Sequence, residues 1–271
     1  MQHTQPFPAS TAPVTDSAEG DRLVGSDRVL AVLKELARHP DGVSLEALTR
    51  VIGSPKATVH RALAALRRAG LAGQDSRGRY LLGDEFLRMA FAHHEARPEH
   101  VRVRPLLKAL SDRFGETVHY AVLDGREVVH RAKADPPTGA VRLTSTVGGR
   151  SPAHATGAGK ALLAQELGTL DAVRQWIGET PLERRTPRTL CTAAELHREL
   201  RATRERGYAL DDQEHETGVN CLALPVYCTS PTVPSGAVSV SALAYRTPLR
   251  TLVDAVEEIH DALGPLKEPP S

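Results

Sequence analysis

Apolar positions begin to repeat near Ser26. Val29, Leu30, Val32, Leu33 and Leu36 recur at the spacing of one helical face. His39-Pro40-Asp41-Gly42 then breaks the helix. A second, short helix follows, with Ser44 as N-cap, Glu46 in the first turn, and Leu45, Leu48 and Val51 expected inward. Gly53 closes it into a tight turn. Ser54 is expected to cap a third helix, with Pro55 at its first position, where a missing N–H costs nothing. That helix should bury Val59, Ala62, Leu63 and Leu66 and stop at Gly70. Short runs at Leu71–Gln74 and Arg79–Leu82, split by Asp75-Ser76-Arg77-Gly78, read as a hairpin ending at Gly83. Three helices and a hairpin make the winged helix-turn-helix plan. Residues 1–24, rich in Pro, Thr, Ser and Ala, lack any apolar period and are expected to be a disordered tail.

A helical stretch from Asp84 to about Ala96 carries Phe86, Leu87, Met89, Ala90 and Phe91. Arg97-Pro98 marks its end, so residues 84–98 read as a linker helix. So large an apolar stripe is expected to pack against a partner chain. Beyond residue 99 the pattern changes. A helix at Val103–Phe114 leads into alternating runs at Thr117–Leu123 and Val128–Ala134, split by Asp124-Gly125. Further strands are expected at Val141–Thr144, Tyr208–Leu210, Leu222–Val226 and Ala237–Ala242. Helices are expected at Gly159–Gln165, Ala193–Arg206 and Thr251–Leu263. This order predicts an α+β domain over 99–265 around a mostly antiparallel sheet, with a short tail at 266–271.

The 271 residues are 41% hydrophobic, enough for ordinary cores in two domains. No apolar run approaches a membrane span, and the N-terminus lacks a signal-peptide pattern, so a cytoplasmic protein is expected. Cys191, Cys221 and Cys228 form no CxxC pair and are expected to be reduced thiols. The net charge of +1 announces no nucleic-acid partner by itself. Its distribution does. From Ala47 through Gln74 there is no Asp or Glu, while Arg50, Lys56, Arg61, Arg67 and Arg68 all fall there. Such a helix offers a positive face to phosphates. Lys56, Thr58, His60 and Arg61 are the exposed candidates for DNA contact, and Ala57 could touch a thymine methyl. Ser54 could donate to a phosphate, and Arg77 and Arg79 flank the wing turn. The bland alternative is a solvated basic helix, or a winged helix that binds protein.

These residues resemble the IclR family of bacterial regulators. The likeness runs through SDRVLAVLKELARHPDGVSLEALTRVIGSPKATVHRALAALRRAGL and the wing RGRYLLG. It continues in GETVHYAVLDGREVVHRAK, GGRSPAHATGAGKALLA, RERGYALDDQEHETGVNCLALPV and SVSALAYR, and so spans nearly all of 25–264. The resemblance implies a winged helix, a linker helix and an effector domain of GAF-like fold. It further implies double-stranded operator DNA and a small-molecule effector as partners, assembly as homodimer or tetramer, and most often repression. The opposing class is a GAF-like binding or hydrolytic protein whose winged helix docks protein.

Gly157, Ala158 and Gly159 stand at a helix start, where free N–H groups favour an anion such as a ligand carboxylate. A phosphate-loop reading of the GK pair fails, because His154 and Ala161 replace the required Gly and Ser or Thr. The alternative for this segment is a tight turn packing a helix on the sheet. The resemblance implies a pocket made by Gly157-Ala158, Asp211, Cys221, Ser239 and Ser241, with Leu143 and Val219 in its apolar wall. Ser239 and Ser241, two apart on a strand, share one face. Ala140 and Ser151 stand where the family often has larger apolar residues, which implies a wider or more polar pocket. The run Asp211–Glu216 mixes carboxylates with His215, so it is either a metal site or a polar capped loop, the latter expected. A nucleophilic pair of Cys221 with His215 or His154 is conceivable, but a thiol in an apolar strand is expected to be inert. Neither an enzyme nor a cofactor is expected.

Overall fold

A computed structural model describes residues 25–95, 98–136, 143–228, 230 and 232–266. The chain divides into two compact units between His93 and His94. The first contains α1 (Gly25–Leu36), α2 (Leu45–Ile52), α3 (Lys56–Arg68), β1 (Ala72–Gln74) and β2 (Tyr80–Leu82), and α4 (Asp84–Glu95) crosses the boundary. Val32, Leu36, Leu48, Val59, Leu63, Leu66 and Tyr80 form its core. The Ser44 hydroxyl accepts the Ala47 N–H at 3.2 Å and caps α2. Gly53 ends that helix at φ 63°, a left-handed turn that a side chain would strain.

Two expectations fail here. Ser54 does not cap α3; Pro55 holds the N-cap position without a side-chain bond. The Ser54 hydroxyl instead accepts from Arg28 Nε at 3.1 Å, which ties α1 to the helix-turn-helix corner. Val51 is 60% exposed, because α2 is two turns long and buries Leu48 with Ile52 packed beside it.

The second unit holds α5 (Pro98–Phe114), β3 (Thr117–Asp124), β4 (Glu127–Ala134), β5 (Arg150–Pro152), α6 (Gly157–Glu166), α7 (Leu170–Ile177) and α8 (Ala193–Arg206). It continues with β6 (Ala209–Asp212), β7 (Val219–Val226), β8 (Gly236–Leu243), α9 (Leu249–Asp254) and α10 (Val256–Leu263). The six strands form one sheet in the order β5-β4-β3-β8-β7-β6, every pair antiparallel. One face buries Val118, Tyr120, Leu222, Val238 and Val240 against α5, α9 and α10. The other buries Ala121, Val128, Ala209, Ala223 and Ala237 under α6 and α8. Strict alternation along β8 divides its residues between these two cores.

The predicted helix Thr251–Leu263 is two helices that meet at Ala255, where φ is −98° and ψ 9°. Leu143 and Thr144 belong to no strand, and Val141 and Arg142 of that predicted strand lie outside the described residues, as do Ala140 and residues 1–24. Leu266, placed in the tail by pattern alone, is buried, and its carbonyl accepts the Tyr227 N–H at 2.9 Å. Among the described residues no helix is long and apolar enough to cross a membrane.

Candidate functional site

The first site is the face of α3. Lys56, Ala57, His60 and Arg61 are exposed and Thr58 half-buried, while Val59, Ala62, Leu63 and Leu66 point inward. The face is not free of counter-charge, as the acid-free stretch had suggested. Lys56 Nζ lies 2.8 Å from Glu46 Oε1, which reaches over from α2. Glu46 is one residue outside that stretch. Its hydrogen bond holds the Lys56 ammonium above, and its own carboxyl below, their ordinary ranges. The pair is exposed, so it is weak and a phosphate can displace it. Arg61 donates to Thr58 Oγ1 at 3.3 Å. At the wing, Asp75 Oδ1 accepts the N–H groups of Arg77 and Arg79, and its Oδ2 accepts from Arg79 Nε at 3.0 Å. Arg79 therefore has an acidic partner, whereas the Arg77 side chain is exposed at the tip.

The second site is a cavity of about 310 Å³ on the α6 face of the sheet. Strand register builds its floor. Asp211 pairs with Cys221 and Cys221 with Ser241, while Ser239 pairs with His119. Polar groups thus replace the alanines that α6 covers further along β7 and β8. Leu143, Ala158, Asp211, Val219, Cys221, Ser239 and Ser241 all line this space. Gly157 does not. A Cβ there would lie 3.2 Å from Cys221 Sγ, so the glycine sets how closely α6 approaches β7. Thr156 caps α6 by accepting the Gly159 N–H at 3.1 Å, and it lines the cavity.

Ser151 and His215, both singled out in the sequence, face this cavity, and so do His119, His130, Arg150 and Arg185, which the sequence did not mark. The pattern alone cannot place His130, because a bulge intervenes. Tyr120 pairs with Ala132 but Ala121 with His130, so Arg131 is the extra residue. The bulge brings both Lys133 and His130 to the cavity face of β4. The His119 and His130 rings lie 4.8 Å apart. His119 Nε2 is 2.7 Å from Ser145 Oγ, and Lys133 Nζ donates to the carbonyls of Leu143 and Ser145, both at 2.8 Å. These bonds hold the segment 143–146 over the floor.

Burial governs the electrostatics. It drives the His119 imidazolium well below its ordinary range, with His130 and Lys133 adding to the effect. It lowers His130 likewise, and pushes His215 down to about 4 with Arg185 helping. His130 Nδ1 and His215 Nδ1 have no hydrogen-bond partner among the described residues. Burial raises Asp211 to about 7 and the Cys221 thiol to about 12. A thiol so held is not a nucleophile at neutral pH. Its Sγ sits 3.4 Å from Ser241 Oγ. Among the described residues no group of three or more His, Cys, Asp or Glu is placed to hold a metal ion. The run Asp211–Glu216 begins at the end of β6 and turns on Asp211, whose Oδ1 accepts the N–H groups of Glu214 at 2.7 Å and His215 at 3.4 Å.

A helix-turn-helix unit followed along the chain by an α+β unit with a polar cavity defines a DNA-binding regulator that answers to a small molecule. The IclR helix-turn-helix domain matches residues 26–76 and the bacterial transcriptional regulator IclR C-terminal domain matches 100–264. The chain belongs to the IclR family of transcriptional regulators. It is 31% identical over 237 residues to the transcriptional repressor IclR of Escherichia coli, covering 86% of this chain and 82% of that protein. The IclR regulator of Alicyclobacillus acidocaldarius shares the fold, with a TM-score of 0.75 at 22% identity over 89% of this chain and 96% of that one. The inducer-binding domain of PobR from Acinetobacter, a double mutant solved with 3-hydroxybenzoic acid, has a TM-score of 0.57 at 29% identity. It covers 64% of this chain, which spans 99% of that one.

Proposed function

We propose that this chain is a ligand-responsive repressor that releases operator DNA when a small organic acid fills the cavity of its second unit. The polar floor, set into an otherwise apolar sheet face, carries the reading. Ser239, Ser241, Cys221 and Asp211 are buried there beside the N-terminus of α6. Hydroxyls and helix N-terminal amides suit a carboxylate, and Leu143, Ala158 and Val219 suit a small apolar body. The PobR domain with bound hydroxybenzoate supports an acid of this kind. Gly157 shapes the floor without lining it.

On DNA, α3 enters the major groove. Arg61, His60 and Thr58 reach base edges, Ala57 meets a thymine methyl, and Lys56, Ser54, Arg77 and Arg79 hold the backbone. Residues 25–83 form the DNA-binding domain, 84–98 the linker and 99–265 the effector domain. The protein acts in the cytoplasm as a homodimer or a tetramer. The exposed Leu87, Met89 and Phe91 of α4 support such assembly. Sequencing the genomic fragments retained by the purified protein tests the reading. Enrichment of one inverted repeat, weakened by Arg61→Ala and released by organic acids, is expected. Retention without sequence enrichment contradicts it.

A further inference from the structure

Behind the cavity wall runs a chain of charged groups, buried at Lys160 and Glu214 and half-buried at Glu199 and Arg206. Lys160 on α6 is fully buried, pairs with Glu214 and lies 3.9 Å from Glu199. Glu199 accepts from Arg206 at 2.6 Å. Arg206 Nε donates to the Tyr208 carbonyl at 2.6 Å, next to the strand that carries Asp211. Two cations and two carboxylates therefore neutralise one another. Asp211 is a third carboxyl group in the same space, only 3% exposed. Among the described residues it has no salt-bridge partner.

Resting on the effector reading above, we propose that Asp211 stands in the cavity as the neutral acid and receives the effector's carboxylate by donating its own proton. An ionised Asp211 would set two carboxylates side by side, which like-charge repulsion forbids in a buried site. The shared proton turns that repulsion into a charge-assisted hydrogen bond. When Asp211 is ionised beforehand, binding takes up one proton from solvent.

The groups facing Asp211 fit this role. Lys160 approaches from α6 and its charge favours the carboxylate form, although it pairs directly with Glu214, whose charge works the other way. The N–H groups of Glu214 and His215 favour the carboxylate form, yet burial outweighs them and holds the acid up to about 7. Cys221 on β7 stays a neutral thiol. Across the cavity burial disfavours the imidazolium forms of His119, His130 and His215. Glu216 and Arg185 line the mouth. The imidazoles and Glu214, whose carboxyl burial also raises, are the competing sites for the same proton, so the test must separate them from Asp211.

Calorimetry of the full chain with 3-hydroxybenzoate and with acetate, both ionised from pH 6 to 8, makes that separation. Wild-type affinity is expected to fall about tenfold from pH 6 to pH 8 as Asp211 loses its proton. Asp211→Asn, whose amide keeps the two backbone contacts and donates permanently, is expected to bind equally well at both pH values. Asp211→Ala should bind more weakly than wild type at pH 6. A tenfold loss in Asp211→Asn at pH 6 overturns the proposal, because an anionic acceptor would then be required. A pH dependence that persists in Asp211→Asn also overturns it and assigns the proton to the histidines or Glu214, while the effector reading survives. Wild-type protein that binds neither acid at pH 6 overturns both. Carbon NMR of the Asp211 carboxyl should show titration near neutral pH, and completion in the ordinary carboxylate range refutes it.

Discussion

Replacing Lys160 by methionine should destabilise the second unit far more than its modest change in volume suggests. The lysine is fully buried and its ammonium is paired with Glu214, itself 8% exposed. Methionine keeps the aliphatic stem and removes the charge, so little cavity forms. What remains is a buried carboxylate whose Oε2 already has no partner among the described residues. Breaking one side of a buried pair costs ~3–5 kcal/mol, which shifts the midpoint of thermal unfolding on the order of 10 °C in a unit of this size. The single tryptophan, Trp176, lies on α7 with its indole N–H donating to the Gly125 carbonyl at 3.3 Å, so its fluorescence reports this unit. Urea unfolding of Lys160→Met, Glu214→Gln and the double variant forms a cycle. The double variant should recover most of the loss, since both buried charges are then gone. Lys160→Met should suffer less at pH 5 than at pH 8, because burial has already raised the Glu214 carboxyl and a proton can replace the lysine. A loss under about 1 kcal/mol at pH 8, or a double variant no better than the single, would refute the claim that the pair acts as a unit.

Two further outcomes follow from charge placement. Glu46→Gln frees Lys56 and removes a carboxylate from the face of α3, so it should tighten DNA binding and steepen its salt dependence by about one ion, read by anisotropy at several salt concentrations. His215 has a folded value near 4 against an ordinary 6.5, so it binds a proton in the unfolded chain before it does in the native one. Stability present above about pH 6.5 is therefore lost as the pH falls towards 4, and urea titrations of His215→Gln should show a shallower fall over that window.

Much of the fold was legible because local signals agreed with it. Ser44, Gly53 and the buried stripe Val59, Ala62, Leu63 and Leu66 define the helix-turn-helix with no tertiary information. The limits Ala193–Arg206 of α8 follow from Thr192, whose hydroxyl and Glu195 form a capping box, and from Gly207 at φ 83°. Helix α7 carried similar marks, a Thr169 cap and Leu170, Val173 and Ile177 on one face, and was overlooked. The strand Arg150–Pro152 is too short and too polar to show a period. In the cavity, Ser239 and Ser241 were visible as a same-face pair. His119 and His130 were not, because their convergence depends on the bulge at Arg131 and on register between distant strands. Glu46 escaped for the same reason, since charge counted along the chain ignores a side chain folding back from the previous helix.

If the cavity of one unit controls DNA binding by the other, an acid that fills it must change operator affinity. Operator affinity measured with and without an organic acid, in wild type and in the variant Ser239→Ala with Ser241→Ala, tests this most directly. Each lost charge-assisted bond should cost ~1.5–3 kcal/mol of effector binding. The acid should release the wild type from its operator. The double variant should bind the operator normally without acid and stay bound at acid concentrations that release the wild type. An unchanged release curve in the double variant would contradict the account and move the effector site elsewhere.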